Sequence, residues 1–174
     1  MKSSAEHHRA RRLALQGLSS LDVQGPGVLD LAVEFIRESR ETPGALAEAE
    51  EMLQQAFAVR QRADALLAGE SQHWEVGRMA LVDRNILRLA LWELLAGATP
   101  KKVVIAEAIR LAQEFSTAES ARFINGVLDA AARRIQEHLR RDAGDAGDER
   151  NQEEETTAAA EEEEEGDGKG AGAE

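Results

Sequence analysis

The sequence contains no cysteine and no tyrosine, only three prolines, and no long apolar run. Without cysteine there is no disulfide framework, no thiolate zinc site, no iron–sulfur cluster and no cysteine nucleophile. The apolar runs fall far short of the roughly 20 residues that span a bilayer. Residues 1–12 are polar and lack the apolar stretch of a secretory signal. We therefore expect a soluble, cytoplasmic protein.

Negative charge is concentrated at one end of the 174-residue chain. The formal net charge is −12, and residues 142–174 alone hold fourteen acidic and two basic residues. Because this segment lacks Leu, Ile, Val, Phe and Trp, it cannot bury enough apolar surface to offset the entropy of ordering. We predict a folded domain over 1–141 and a disordered acidic tail over 142–174. The tail either keeps the protein soluble or competes with a polyanion for basic residues.

Helical periodicity runs through residues 1–141, and an alternating strand pattern is absent. Breakers and capping residues predict helices over about 9–21, 28–40, 43–67, 84–96 and 100–115, and a short helix or turn over 71–78 that carries Trp74. The predicted caps are Thr42 for 43–67, Asp83 for 84–96, which Gly97 ends, and Thr99 for 100–115. A last helix follows a Ser116–Glu119 capping box. The helix over 84–96 is apolar on nearly every side, which is typical of a central, buried helix. The predicted class is all-α, a compact bundle of about seven helices.

The chain shows no recognisable constellation for catalysis or for binding a metal. Its histidines are His7, His8, His73 and His138, and none has a partner at metal-ligand spacing. Phosphate loops, nucleophile elbows and metalloprotease motifs are absent. We predict that the protein is not an enzyme and uses no metal or cofactor.

Basic residues are gathered at the beginning of the chain. Arg9, Arg11 and Arg12, with Lys2, face only Glu6 among residues 1–12, so this segment is locally cationic. An arginine presents a planar fork that suits phosphate oxygens, and positive charge at a helix start opposes the helix dipole. The pattern predicts phosphate contacts with a nucleic acid, and the alternative is a solvated helix start.

Two later helices also begin with cations. Lys101 and Lys102 lie in the first turn of one helix, and Arg122 precedes Phe123 early in the last helix. An exposed Phe can stack on an unpaired base, although from its spacing Phe123 equally fits a core position. Arg88 and Glu93 are candidate partner-binding residues, which either form surface ion pairs or recognise a protein partner.

Several stretches of the sequence resemble the NusB transcription antitermination family. They are VDRNILRLALWEL at 82–94, PKKVVIAEA at 100–108 and FINGVLD at 123–129, with RARRLALQGL at 9–18 agreeing near the start. The resemblance implies two three-helix subdomains. It also implies a protein that binds the boxA element of nascent RNA together with NusE, a small-subunit ribosomal protein. The pair helps RNA polymerase to read through terminators, notably in ribosomal RNA operons, and no cofactor is involved.

By position, the resemblance assigns RNA contacts to Arg9, Arg11 and Arg12, places Glu119, Arg122 and Phe123 near the RNA, and places Glu93 on the surface that faces NusE. With Lys101 and Lys102, these are the predicted RNA-binding and partner-binding residues. Two other functions remain open. One is an RNA-binding accessory module of the kind found in ribosomal-RNA cytosine methyltransferases. The other is a protein-only helical adaptor, favoured by Ser19, which stands where the family usually has an aromatic residue.

Overall fold

The computed structural model of the chain describes residues 3–70, 76–137 and 140–141. Across these residues the chain forms seven α-helices and no strand, which confirms the all-α prediction. The helices are α1 (Ser4–Gln24), α2 (Leu29–Glu38), α3 (Pro43–Ala58), α4 (Arg60–Glu70), α5 (Leu81–Ala96), α6 (Lys101–Phe115) and α7, which begins at residue 118, with short 3₁₀ turns at Pro26–Val28 and Val76–Arg78. The predicted tail over 142–174 and Trp74 lie outside the described residues. No helix in the described part of the chain is long and apolar enough to cross a membrane.

The chain divides into two units, Met1–Arg133 and Arg134–Glu174. The first unit contains α1 to α6 and the first sixteen residues of α7. In the second unit, residues 134–137 and 140–141 are helical. The sites described below lie in the first unit.

Local capping sets where the first helices begin. α1 begins earlier than predicted because Ser3 and Glu6 form a capping box, with the Glu6 amide donating to Ser3 Oγ at 3.2 Å and the Ser3 amide donating to Glu6 Oε2 at 2.9 Å. At α3 the predicted cap is confirmed, because Thr42 Oγ1 accepts the Ala45 amide at 3.3 Å. Both caps satisfy amides that have no partner inside the helix.

Two predicted caps are wrong because their side chains have other partners. α5 begins at Leu81, and Asp83 lies in its first turn, where it accepts hydrogen bonds at 2.7 Å from Ser116 and Ser120. With Ser116 engaged there, Thr117 caps α7, accepting the Ser120 amide at 3.0 Å. The Ser116–Glu119 capping box is therefore wrong, and α7 begins one residue later.

The helix boundaries at residues 59 and 100 also differ from the prediction. The single helix expected over 43–67 is two helices, α3 and α4, separated at Val59. The Arg60 guanidinium donates to the Phe57 carbonyl at 2.7 Å and lies 3.9 Å from the centroid of the Phe57 ring, which stabilises the break. At α6, Pro100 rather than Thr99 is the cap residue, since its extended backbone precedes the first helical residue.

The core forms around α5, as predicted from its apolar pattern. α1, α2 and α3 contact one another, and α5 contacts α1, α3, α4 and α6. Ile86, Leu87, Leu89 and Leu91 of α5 are at most 1% exposed, and burying a side chain of this size contributes about 1.5–3 kcal/mol. α5 ends at Gly97, whose positive φ of 68° favours glycine.

α1 and α3 approach each other closely at Gly17. A Cβ atom at this position would lie 2.8 Å from Leu53 Cδ2, closer than carbon atoms normally approach. Glycine therefore permits the spacing of the two helices here, and Leu53 fills the space with no exposed surface. This contact fixes α1, which carries the arginine-rich segment.

Candidate nucleic-acid interface

Each of the three arginines near the start of α1 has an acidic partner from another part of the fold. Arg9 Nε lies 2.9 Å from Glu41, in the connection before α3, and Arg12 Nε lies 2.9 Å from Glu114 of α6. The Arg12 guanidinium also lies 5.5 Å from the centroid of the Phe115 ring. The side chains of Arg9 and Arg12 are 35% and 41% exposed. They are paired but reach solvent.

Arg11 differs from its neighbours because it is buried. Its Nε and Nη2 donate to the two carboxylate oxygens of Glu93 at 2.9 and 2.6 Å, and the side chains are 5% and 4% exposed. Burial alone would lower the pKa of Arg11, but the hydrogen bonds and charge of Glu93 hold it above its usual value. A phosphate contact through Arg11 and a partner contact through Glu93 each need an exposed side chain. In this structure the two residues form one internal ion pair, and the contacts of Arg11 with phosphate and of Glu93 with a partner stay predictions.

Further acidic groups surround the start of α1. His8 is buried, with Nδ1 at 2.7 Å from Glu107 and Nε2 at 3.2 Å from Glu114, both on α6. His7 Nδ1 lies 2.6 Å from Glu48 of α3. The positive charge that the sequence gathers here is thus offset by carboxylates from α3, α5 and α6. Within the described residues, no group of histidine and acidic side chains could hold a metal ion.

Arg88 belongs to a second internal network, at the other end of the α1–α5 contact. It donates to both carboxylate oxygens of Asp64 at 2.8 and 2.7 Å and lies 3.0 Å from Asp22 of α1. Arg84 and Asn85 donate to the same Asp22 carboxylate. With 11% of its side chain exposed, Arg88 is occupied inside the molecule. The contact of Arg88 with a partner protein stays a prediction.

The pKa values within this network follow from its geometry. The hydrogen bond to Asp64 raises the pKa of Arg88 above its usual value, with Asp22 adding to the effect. Burial would raise the pKa of Asp22, but the hydrogen bonds from Arg84 and Arg88 outweigh it and hold that pKa below its usual range. Both pKa shifts favour the charged forms of Arg88 and Asp22.

The cations at the starts of α6 and α7 have a different environment. Lys102 and Arg122 are exposed and Lys101 is partly exposed, and among the described residues none of the three forms an ion pair. Along α6, Lys102 is twelve residues from Glu114, or roughly 18 Å, so the lysines lie far from the helix end that contacts Arg12.

The remaining predicted residues lie beside Arg122 on α7. Glu119 is exposed and Phe123 is partly buried, whereas Ile124 and Leu128 occupy the fully buried positions of the helix. A partly exposed ring is compatible with both alternatives for Phe123, a base-stacking surface and a core contact.

The carboxylates that pair with the arginines were missed in the sequence. Arg11 and Glu93 are 82 residues apart, Arg88 and Asp64 are 24 apart, and no spacing or motif relates them. The only signal in the sequence was the neutral balance of residues 1–141, which supplies an acidic residue for every basic one.

A family model, protein sequences and solved structures all show similarity to the NusB family. The family model described as the NusB family matches residues 8–133. The chain is 39% identical over 139 residues to transcription antitermination protein NusB of Anaeromyxobacter sp. (strain Fw109-5), which covers 79% of this chain and 97% of that protein. The solved structure of T. maritima NusB has a TM-score of 0.69 at 30% identity over 76% of this chain and 93% of its own. The solved structure of antitermination factors NusB and NusE in complex with dsRNA has a TM-score of 0.64 at 24% identity, over 75% of this chain and 98% of the matched chain. At this identity the likeness shows the fold alone.

Proposed function

The chain belongs to the NusB family, and on that premise we propose that it acts in transcription antitermination by binding boxA RNA together with NusE. The observation that carries the proposal is the match to an antitermination protein over 97% of that protein's length. NusB and NusE are bound to dsRNA in a solved complex of the same fold, and the transfer of those partners to this chain is part of the proposal. The role also includes contact with the RNA polymerase antitermination complex on ribosomal RNA operons, in the cytoplasm.

We assign the main phosphate contacts to Lys101, Lys102 and Arg122. These cations reach solvent and have no ion pair among the described residues, so a phosphate does not have to displace a carboxylate from them. Each contact releases counterions from the RNA, which makes the affinity depend on salt. Glu119 and Phe123 flank Arg122 and complete this part of the proposed site.

Arg9 and Arg12 are assigned a secondary role in RNA binding. Their pairs with Glu41 and Glu114 are partly exposed, and ion pairs of this kind contribute only about 0–1 kcal/mol. A phosphate can therefore compete with the carboxylate for either guanidinium. Arg11 is left out of this proposal because its pair with Glu93 is buried.

The test is the affinity for boxA RNA, measured at several salt concentrations with and without NusE. We expect NusE to raise the affinity. We also expect Lys101→Ala with Lys102→Ala to weaken binding and to reduce the salt slope by about 1 for each phosphate that the variant no longer binds. Arg62→Ala is the matched control, since Arg62 is an exposed cation on α4, which carries none of the proposed contacts. An affinity indifferent to NusE would contradict the proposal.

One observation favours the second candidate, a helical adaptor that binds only protein. The three arginines that the sequence offered for phosphate are all paired with carboxylates of the same chain. An adaptor would bind NusE in a pull-down and give no shift of boxA RNA at low salt. A shift of boxA RNA that is weaker for the double variant Lys101→Ala with Lys102→Ala would exclude the protein-only adaptor.

For the rest of the chain, we propose that residues 1–141 form the RNA-binding domain and that the acidic tail over 142–174 adds nothing to RNA affinity. The support is the separation of charge in the sequence, since the tail carries the whole net charge of −12. Deleting 142–174 should leave the boxA affinity unchanged at low salt. A tighter complex after deletion would instead show that the tail competes with RNA for the basic residues.

A further inference from the structure

α2 exposes two large apolar side chains on one face. Leu31 is 64% exposed and Phe35 is 51% exposed, and their spacing of four residues places them one above the other on the helix surface. The opposite face, with Ala32, Val33 and Ile36, is buried against the fold. Among the described residues only two other large apolar side chains, Val23 and Val103, are comparably exposed. α2 therefore has one apolar face that packs on the core and, on its exposed side, an apolar strip formed by Leu31 and Phe35.

The charges around this strip are acidic and unbalanced. Asp30, Glu34 and Glu38 are exposed, and none forms an ion pair with the described residues. The one cation on this part of α2, Arg37, donates from Nε to Glu50 of α3 at 2.8 Å and is neutralised by it. The pKa of Arg37 is raised, and that of Glu50 lowered, by the hydrogen bonds between them. The surface around Leu31 and Phe35 thus carries three exposed carboxylates without an ion pair to a described residue, although Glu34 also interacts electrostatically with Arg37.

A groove between α2 and α3 adjoins the strip. Its volume is about 560 Å³, large enough for the side chains of a bound segment. Leu29 and Val33 contribute apolar atoms to its lining, and Asp30, Glu34 and Glu38 add three carboxylates from the same helix. The other two lining residues are Gln54 and Arg37, and Arg37 is paired with Glu50. The groove and the strip therefore share their acidic residues, and the two form one continuous surface that we call the α2 face.

We infer that the α2 face is a docking surface for a cationic amphipathic segment of a partner protein. Apolar side chains of that segment cover Leu31 and Phe35, and its lysines or arginines pair with Asp30, Glu34 and Glu38. Charge complementarity selects this occupant. RNA is disfavoured because these three carboxylates repel phosphates, and a second copy of the chain would bring the same negative charges to the contact. The acidic tail of the chain is disfavoured for the same reason.

This surface is separate from the proposed RNA contacts, all of which lie on α1, α6 and α7. The two inferences therefore fail independently. Loss of RNA binding says nothing about the α2 face, and substitutions on α2 should leave the boxA affinity unchanged. Because Leu31, Phe35, Glu34 and Glu38 are exposed, replacing them should also leave the fold intact, which circular dichroism and urea unfolding will verify.

The experiment measures binding of a fluorescent helical peptide, with leucines at four-residue spacing and lysines elsewhere, to the full chain by anisotropy. We expect Glu34→Lys with Glu38→Lys, and separately Leu31→Ser with Phe35→Ser, to weaken binding by about tenfold or more. The matched controls are Glu137→Lys and Val103→Ser, exposed residues of the same types outside α2 and outside the proposed RNA contacts, which should bind the peptide as the unsubstituted chain does. The tail is present in every variant, so any affinity that it contributes remains constant.

Three results would overturn the inference. In the first, the α2 variants bind the peptide as tightly as the controls do. In the second, sedimentation shows a dimer of the unsubstituted chain that Phe35→Ser dissociates, which would make the occupant a second copy. A further peptide with serine in place of leucine separates charge from apolar contact, and equal binding of the two peptides would also contradict a docked amphipathic segment.

Discussion

The cations of α1 and those at the starts of α6 and α7 look alike in the sequence, but the fold treats them in opposite ways. Arg11 is buried against Glu93 and is 5% exposed, whereas Lys102 and Arg122 are exposed, with no ion pair among the described residues. The sequence predicts a helix start at both places, but α1 begins at Ser4, so Arg11 lies about two turns inside that helix. What makes a cation available to a ligand is therefore whether the fold brings a carboxylate close to it.

Two ion-pair sites hold α1 along α5. Arg11 pairs with Glu93 near the end of α5, and Asp22 pairs with Arg84 and Arg88 near its beginning. This order shows that the two helices run antiparallel. Since Arg11 and Asp22 are eleven residues apart, the two sites are roughly 16 Å apart along α1. The arginine-rich segment therefore contributes to the stability of the fold as well as to its surface charge.

The largest effect is expected when the buried pair is broken. Arg11→Ala leaves the Glu93 carboxylate buried without its partner, so the free energy of unfolding should fall by about 3–5 kcal/mol. Urea unfolding followed by circular dichroism measures this change. If Arg11→Ala weakened RNA binding and left the free energy of unfolding unchanged, the internal role of Arg11 would be contradicted and a direct contact with RNA supported.

The double variant Arg11→Met with Glu93→Leu is the control for this prediction. It replaces the pair with apolar side chains of similar size, and such replacements are often neutral or stabilising. We expect it to recover most of the stability that Arg11→Ala removes. If it does not, the destabilisation arises from packing rather than from an unpaired charge.

An intermediate effect is expected at the other end of the α1–α5 contact. Asp22→Asn removes the charge that Arg84 and Arg88 share, while Arg88 keeps Asp64, so the unfolding free energy at pH 7 should fall by about 1–3 kcal/mol. Because the folded-state pKa of Asp22 is lowered, its contribution is complete above the unfolded pKa of about 3.9 and is lost as the pH falls through the folded value.

Unfolding of the Asp22→Asn variant at several pH values checks the sign. The difference in stability between the two proteins should shrink as the pH falls below about 4, because the unfolded chain then binds a proton at Asp22 before the folded chain does. A difference that stays constant down to about pH 2 would show that the charge of Asp22 is not what stabilises the contact between the helices.

The smallest effect on stability is expected at Arg12. Its exposure lies between that of the buried Arg11 and that of the exposed Lys102. Its pair with Glu114 is partly exposed, so Arg12→Ala should change the unfolding free energy by no more than about 1 kcal/mol. It should nevertheless weaken boxA binding and flatten the salt slope, because a phosphate can compete for this guanidinium. A destabilisation as large as that of Arg11→Ala would remove the distinction between the two arginines.

The helices themselves were largely predictable, and their ends less so. The apolar pattern of α5 and the Thr42 cap of α3 are local features, and the structure confirms both. Asp83 and Ser116 were predicted as caps because their residue types favour that role, yet they bond to each other across 33 residues. A side chain that finds a tertiary partner is no longer free for local capping, and the sequence does not show which side chains will do so.

The helical class, the central helix, the family and the neutral charge of residues 1–141 follow from the sequence alone, since they depend on composition, periodicity and motifs. Which charges remain open to a ligand is a property of the folded chain, because an ion pair such as Arg11–Glu93 joins residues 82 positions apart. Coulombic attraction and desolvation depend on distance through space and on burial. Neither quantity can be read from the order of residues along the chain.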